Sequence, residues 1–253
     1  NDPLNMKGLK TNSQRLDVLS KLDKVYCVSE YVKNRFLQNI NITENKKVVV
    51  LYNGVERYEE LFPSKKKKII FVGRIVKEKG IHLFVEAAAN LSQFYKDWEF
   101  LIIGSPKLGS NKFNDNFSKS IVNNFLKISN KTIVKGYLNY KKVREIMSES
   151  SIIIIPSLWQ EPYGLVAAEA MSCGTAIISS NHGALPEIIK NNGILIKDID
   201  VSKLTLAIEN MIKNPILLKK YQQLAWNNFL HTAKLSSTKL DLFRQEILTK
   251  RSK

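Results

Sequence analysis

Cysteine is scarce in this 253-residue chain, and long apolar runs are absent from it. The two cysteines, Cys27 and Cys173, each lie among apolar residues and form no CxxC motif. This usage is typical of buried, reduced thiols and argues against a disulfide framework or a zinc site. No run of about 18 apolar residues occurs, so we expect no transmembrane helix. The first residues also lack a secretory signal pattern. We therefore predict a cytoplasmic protein.

Arginine is scarce as well, although the chain is strongly basic. The net charge is +16, and 32 of the 39 basic residues are lysine. Such a charge favours a polyanionic partner, namely a nucleic acid, an anionic membrane surface or a phosphorylated substrate. Proteins that read nucleic acids rely on arginine for bidentate contacts. We therefore predict no nucleic-acid partner, and peripheral association with the inner face of the membrane. The densest lysine run, residues 65–68, is interpreted as a solvated linker.

Several motifs of other enzyme classes are missing. The chain contains no GxGxxG and no GxxxxGK[ST], so nicotinamide and P-loop chemistry lack their phosphate cradle. It contains no GxSxG nucleophile elbow. The sequence Asp198-Ile199-Asp200 matches a DxD metal motif, but it directly precedes an amphipathic helix. We interpret Asp200 as the N-cap of that helix. The sequence therefore predicts no metal and no cofactor.

Short apolar runs alternate with helical periodicity along most of the chain, which predicts an α/β fold with a parallel sheet. The first part predicts two strands, at residues 24–28 and 48–51, with helices at 13–22 and 30–38. A second series begins at residue 68. Its predicted strands are residues 69–72, 99–103, 132–134, 152–155, 175–178 and 194–196, with helices at 81–91, 115–126, 140–147, 165–172 and 185–190. After residue 196 the chain is predicted to be helical, with a break at Pro215.

The most informative motif is the run from Glu161 to Glu169. It follows a predicted strand, and a Pro-Tyr-Gly turn after Glu161 opens a short helix that Gly174 can end. The strand, helix and following strand form a βαβ unit, and in such sheets ligands bind at the loops after the carboxyl ends of strands. Glu161 lies in that loop, and Glu169 lies about two helical turns further on. We therefore predict that the two carboxylates contact different parts of one ligand.

Other loops on the same edge of the predicted sheet carry cations and glycines. Residues 73–80 begin with Gly73, which permits a tight turn, and Arg74, whose guanidinium suits phosphate oxygens. Lys79 lies just before a predicted helix, where a cation is unfavourable unless an anion binds there too. Gly183 follows a later strand and is expected to allow a close backbone approach, beside a structural His182. These features favour a phosphate-bearing ligand.

Taken in order, these motifs resemble those of the retaining GT-B glycosyltransferases of family 4, the glycosyl transferases group 1. The matching stretches are Val28-Ser29, Asn53-Gly54-Val55, residues 73–80, Lys135-Gly136-Tyr137 and residues 161–174, followed by Gly183 and Glu187. The resemblance implies a GT-B fold, in which two Rossmann-like domains face a cleft and the C-terminal one binds a sugar nucleotide. It also implies the chain's organisation: a partial N-terminal α/β segment at 1–58, a linker at 59–67, a donor domain at 68–228 and a final helix at 229–253 that crosses back.

The same resemblance implies roles for individual residues. Arg74 and Lys79 would neutralise the diphosphate leaving group, and Glu161 would contact the donor sugar near its reacting carbon. Glu169 would bind the ribose hydroxyls. The remaining donor-binding residues that it implies are Gly73, Val134, Gly136, Tyr137, Gly164, Leu165 and Gly183. The donor would be a nucleoside-diphosphate-sugar, with a UDP-sugar as the expected one, and no metal would be required because fixed cations stabilise the departing charge.

The chain departs from the family pattern at its N-terminal side, where only about half of the usual first domain is present. We therefore interpret the chain as a piece of a longer enzyme, whose activity alone stays open. The acceptor would be a glycan or a lipid-linked glycan. The segment 1–15 is similar to lipopolysaccharide-core transferases, which implies a bacterial surface glycan. Three alternatives stay open: a GT-B sugar-nucleotide epimerase, a donor-binding fragment that is inactive alone, and a basic membrane- or nucleic-acid-binding protein.

Overall fold

A computed structural model describes residues 2–41, 46–58 and 60–251 of the chain, without the side chains of residues 250 and 251. Residue 59, at which the predicted linker starts, lies outside the described residues. So do residue 1 and residues 252–253, which belong to the first and last predicted units. Within the described part, no helix is both long and apolar enough to cross a bilayer.

The N-terminal part forms a small parallel sheet of two strands with helices beside it. Thr11 starts the first helix through a capping box, in which its side chain and that of Gln14 each bond to the other's backbone N–H. The buried core of this part is small and centres on Leu19 and Phe36. The elements are α1 (Asn12–Lys21), β1 (Val25–Cys27), α2 (Glu30–Phe36) and β2 (Val48–Val50).

The larger part is a six-stranded, fully parallel sheet with helices on both faces, as the alternation of apolar runs predicts. Its strands are β3 (Lys66–Val72), β4 (Glu99–Ile103), β5 (Thr132–Gly136), β6 (Ser150–Ile155), β7 (Ala176–Ser180) and β8 (Gly193–Ile196). Its helices are α3 (Ile81–Ser92), α4 (Asn116–Leu126), α5 (Tyr140–Glu149), α6 (Leu165–Ser172), α7 (Leu185–Ile189), α8 (Val201–Lys213) and α9 (Pro215–Asn227).

The sheet order is β5-β4-β3-β6-β7-β8, so the chain runs outward from β3 in one direction and then resumes at β6 on the other side. The crevice between the carboxyl ends of β3 and β6 is therefore the topological switch point of the sheet. The apolar residues of both central strands are buried except for Val72 at the end of β3, and side chains such as Ile70 and Ile153 have no exposed surface. The two loops that lead away from this crevice thus start from buried strands at the centre of the sheet.

Residues 66–68 of the lysine run are not a linker, because they are the first three residues of β3. Lys66 and Lys68 both pair with the Glu149 carboxylate, at 2.8 and 3.2 Å. The Lys65 ammonium donates to the carbonyls of Ser148 and Cys173, each at 2.7 Å. These lysines therefore bind carbonyl and carboxylate oxygens near the amino end of β3. Their charge alone did not indicate these partners.

The last helix, α10 (Ala233–Arg251), returns to the N-terminal part. The Ser236 hydroxyl donates to the Tyr52 carbonyl at 2.8 Å, and the ring of Phe243 packs against Tyr26 with centroids 5.8 Å apart. An ion pair between Lys24 and Glu246, at 2.9 Å, adds a contact further along the helix. The returning helix therefore adds side-chain contacts that hold the two parts of the chain together.

Candidate functional site

The two loops at the switch point meet through a cation and a carboxylate. Lys79 ends a 3-10 turn after β3, and Glu161 lies in the loop after β6. The Lys79 ammonium donates to Glu161 Oε1 at 2.5 Å, although the residues are 82 positions apart. Both side chains line a cavity of about 150 Å³ together with Gly73, Gly164 and Leu165. Five of the residues that the motifs predict for the site are therefore neighbours in space.

Ser157 is a second partner of the Glu161 carboxylate. Its buried hydroxyl donates to Glu161 Oε1 at 2.9 Å. The Ser157 carbonyl in turn accepts the Ser180 hydroxyl at 2.6 Å and contacts His182 Nδ1 at 2.8 Å. Glu161 is only 9 % exposed, and these contacts fix its rotamer. Sequence reasoning missed Ser157; its position four residues before Glu161 in the same loop was the only available signal.

Gly183 explains how the loop after β7 comes so close to Glu161. It adopts φ +62°, and a Cβ at this position would lie 2.3 Å from both the backbone N and O of Glu161. Glycine is therefore required for both the conformation and the space. The adjacent Ala184 N–H donates to the Glu161 carbonyl at 2.8 Å, and the Gly183 N–H donates to Gln160 Oε1 at 2.7 Å. The loops after β6 and β7 thus form one packed unit.

Arg74 lies in a neighbouring cavity, also of about 150 Å³, which shares Val72 and Gly73 with the first. Its side chain is exposed, and no acceptor among the described residues bonds to its guanidinium. Tyr137 lines the same cavity and is 39 % exposed. Two cations therefore flank the crevice, one paired with a carboxylate and one free to bind an anion.

Helix α6 begins directly beside these cavities. Gly164 is its N-cap with φ +90°, and no side chain caps the helix start. The first N–H groups of a helix have no partner within the helix, and they favour an anion or a hydroxyl oxygen. Since Gly164 and Leu165 line the cavity that contains Glu161, the helix start adds backbone donors to its wall.

Glu169 lies one to two turns further along α6 and lines neither cavity. It is 7 % exposed, and no hydrogen-bond donor among the described residues reaches its carboxylate. Burial raises its pKa from the ordinary value of 4.5 to about 7, and the nearby Arg144 guanidinium opposes this rise. Arg144 itself donates to the Glu169 backbone carbonyl at 3.3 Å rather than to the carboxylate. A buried carboxylate with unused acceptor capacity is therefore available to hydroxyl donors.

The donor-binding residues that were predicted in β5 and just after it lie in different surroundings. Tyr137 reaches the Arg74 cavity, and its N–H bonds to Asn111 Oδ1, a contact that no sequence motif indicated. The Gly136 carbonyl accepts a hydrogen bond from the Gly104 N–H at 2.7 Å. Val134 instead packs against the hydrophobic core and lines neither cavity, because β5 turns this side chain toward the helices on the sheet face.

The Asp198-Ile199-Asp200 sequence has a structural role at Asp200. Its Oδ1 accepts the Lys203 N–H at 2.8 Å and caps α8, as predicted. Within the described ranges, no group of three or more His, Cys, Asp or Glu side chains is arranged to hold a metal ion. Cys27 and Cys173 are both free thiols and buried, as their apolar neighbours predicted.

Comparison with known proteins supports the same assignment of fold. A crystal structure of a glycosyltransferase from Rickettsia africae covers 94 % of this chain with a TM-score of 0.76 at 26 % identity, and the match spans 68 % of that protein. Anabaena HepE, solved in complex with UDP, covers 96 % of the chain with a TM-score of 0.76 at 17 % identity, over 69 % of its own length. The fold is therefore of the GT-B type.

The sequence comparisons identify the family. An uncharacterised glycosyltransferase of Methanocaldococcus jannaschii is 30 % identical over 202 residues, which are 78 % of this chain and 52 % of that protein. The chain thus spans about half the length of such curated relatives. The model of the glycosyl transferases group 1 matches residues 53–228, a range that contains the whole six-stranded sheet and every loop described above. The chain belongs to the family of glycosyl transferases group 1.

Proposed function

We propose that this chain binds the donor of a retaining glycosyltransferase of family 4, which transfers a hexose from a nucleoside-diphosphate-sugar to an acceptor hydroxyl. The observation that carries the proposal is the meeting of Lys79, Arg74 and Glu161 at the switch point of a parallel sheet. Cations placed there suit a diphosphate, and a carboxylate beside them suits sugar hydroxyls. A UDP-sugar is the proposed donor, since Anabaena HepE has been solved with UDP and with UDP-glucose.

The proposed chemistry follows from how charge moves. When the bond between the sugar carbon and the diphosphate oxygen breaks, negative charge grows on the leaving group. Arg74 and Lys79 stabilise that charge without reorganising, which lowers the barrier. Lys79 has three N–H donors, so it can bind a phosphate oxygen while it still donates to Glu161. Glu161 then contacts the sugar near the reacting carbon, where charge and geometry change most.

Glu169 has a different proposed role. Its carboxylate is buried and lacks a donor among the described residues, and it lies in α6 beyond the helix start that lines the Glu161 cavity. Two ribose hydroxyls would supply the missing hydrogen bonds. Tyr137, at the edge of the Arg74 cavity, would then flank the base. Binding at this end changes little during sugar transfer, so Glu169 contributes to affinity rather than to the chemical step.

The proposed acceptor is a glycan, free or linked to a lipid, of the kind found on bacterial surfaces. Support comes from the similarity of the opening segment to lipopolysaccharide-core transferases and from the net charge of +16. Lysines attract anionic lipid headgroups over about one Debye length. We include in the proposal a cytoplasmic location with peripheral binding to the inner face of the membrane.

Calorimetry with UDP and UDP-glucose tests the donor assignment. We expect binding that persists in the presence of EDTA, because the charge is supplied by side chains. Arg74→Ala is expected to weaken UDP binding by about 1.5–3 kcal/mol, the range for a charged hydrogen bond. Lys77→Ala is the matched control, since Lys77 lies in the same 3-10 turn as Lys79, is exposed and lines neither cavity. Affinity that is lost with EDTA, or that Arg74→Ala leaves unchanged, contradicts the proposal.

A further inference from the structure

Glu187 is a side chain of α7 that reaches across to the N-terminal part of the chain. Its Oε1 accepts the Glu30 N–H at 2.8 Å, and its Oε2 accepts the Tyr31 N–H at 3.1 Å. These are the first two residues of α2, whose N–H groups have no partner within the helix. A carboxylate at that end is also favourable for the helix dipole. Glu187 therefore caps a helix that lies more than 150 positions away in the sequence.

The same end of α2 is bound to the loop that carries Glu161. Ser29, the N-cap, is fully buried, and its hydroxyl donates to the Pro162 carbonyl at 2.6 Å while it accepts the Val32 N–H at 3.0 Å. A second contact lies one residue further on. The Tyr163 hydroxyl donates to the Asn53 carbonyl at 2.7 Å. The two residues that directly follow Glu161 are thus both held by the N-terminal part.

These contacts close a triangle of hydrogen bonds. The start of α7 binds the loop through the Ala184 N–H and the Glu161 carbonyl, and the loop binds α2 through Ser29 and Pro162. Glu187 forms the third side, between α7 and α2. If the Glu187 side is removed, α7 and α2 lose the direct hydrogen bonds between them, and the loop is held between two elements that are less firmly fixed to each other. Glu187, which lines neither of the two cavities, therefore helps to hold the backbone at Glu161 and Pro162 in place.

We propose that Glu187 is a positioning residue, which holds the N-terminal part of the chain against the loop of residues 161–164 and thereby sets the place of Glu161. The assignment of Glu161 to the donor sugar rests on the proposed function above. The role of Glu187 in holding α2 and α7 together beside this loop follows from the hydrogen bonds alone. Since Glu187 bridges two parts of the chain, its effect differs from that of an ordinary helix cap, which acts on one helix alone.

Hydrogen exchange of the whole chain, read by mass spectrometry, tests the triangle. In Glu187→Ala we expect exchange to accelerate about tenfold or more in two peptides, one covering residues 29–37 and one covering residues 156–165. In Glu187→Gln one amide oxygen still accepts, so an intermediate change is expected. The control is Glu86→Ala, which removes the same charge from an exposed position of α3 and is expected to alter neither peptide. Ser29→Ala, which removes another side of the triangle, is expected to affect the same two peptides.

The outcomes separate positioning from simple capping. Faster exchange in α2 with an unchanged loop peptide would mean that Glu187 only caps the helix. Unchanged exchange in both peptides would mean that the Glu187 contact stabilises neither segment. Either result overturns the inference. Binding of UDP and UDP-glucose gives the functional readout. We expect Glu187→Ala to bind UDP with an affinity within about twofold of that of the unaltered chain. The additional affinity that the unaltered chain gains from the sugar of UDP-glucose should be lost in the variant. If the unaltered chain binds neither ligand, the proposed function fails while the exchange data still decide the role of Glu187.

Discussion

Replacing Glu169 by glutamine is expected to stabilise the chain while it weakens donor binding. The carboxylate is 7 % exposed and has no hydrogen-bond donor among the described residues, so its charged form is penalised by burial. The interval between the ordinary pKa of 4.5 and about 7 corresponds to about 3 kcal/mol, at about 1.36 kcal/mol per pH unit. Glutamine has nearly the same shape and carries no charge, so it avoids this cost.

The sign of the pH dependence follows from proton binding. Between pH 4.5 and about 7 the folded chain holds a proton on Glu169 that the unfolded chain has lost. The contribution of this group to stability is therefore most favourable below pH 4.5 and declines as the pH rises toward 7. Above pH 7 the full cost of about 3 kcal/mol applies. The stabilisation by Glu169→Gln should accordingly be small near pH 4.5 and reach about 3 kcal/mol at pH 8.

Urea unfolding at pH 5 and pH 8 measures this difference, and Glu86→Gln provides a control at an exposed glutamate. For a chain of this size the pH 8 effect corresponds to about 6–12 °C in Tm. UDP-glucose binding by calorimetry supplies the second half of the test, because its diphosphate does not titrate in this range. We expect weaker binding to Glu169→Gln at pH 8. A stability difference that is equal at both pH values would refute the buried-charge reasoning, and unchanged UDP-glucose affinity would refute the ribose assignment.

Three further outcomes are expected. In steady-state kinetics of the full-length enzyme with a varied donor, Glu161→Gln should lower kcat more than it raises KM, whereas Glu169→Gln should mainly raise KM; the reverse pattern would exchange the two roles. Ser157→Ala removes one of the two hydrogen-bond partners that the described residues give the Glu161 carboxylate, so kcat should fall, and Ser157→Thr should keep much of it. Equal activity of the unaltered enzyme and both variants would show that Lys79 alone positions the carboxylate. Co-sedimentation with anionic liposomes should be measurable at low salt and lost at high salt, and equal binding to neutral liposomes would exclude a lysine-driven mechanism.

The local pattern of the chain determined most of its secondary structure. Apolar runs flanked by turn residues located all six strands of the large sheet, because a strand buried on both faces needs consecutive apolar side chains. The lysine run was wrongly interpreted as a linker because its lysines pair with Glu149 and with backbone carbonyls near the amino end of β3, partners that composition cannot show. Helix starts such as Asp200 were predictable, since the cap and its N–H partner are three residues apart.

The motifs also determined which residues gather at the switch point, since the carboxyl ends of parallel strands share one edge of the sheet. Gly183 could be expected to allow a close approach, but only the packed loops show that the Glu161 backbone is what it approaches. Val134 was expected in the same place, yet its direction depends on how β5 faces the core. The contact of Lys79 with Glu161 joins two loops that the sequence orders but does not orient, and the contact of Ser157 with Glu161 depends on how one loop folds back on itself.

Tertiary structure alone decided how the two parts of the chain meet. The sequence contains a serine before α2 and a glutamate in α7, and each has an ordinary local explanation as a cap or a surface charge. Their hydrogen bonds to Pro162 and to the start of α2 exist only because the sheet and the returning helix α10 bring distant segments together. Periodicity encodes contacts over a few residues, whereas contacts across 130 to 160 positions are set by topology, and at this site those contacts hold the residues that follow Glu161.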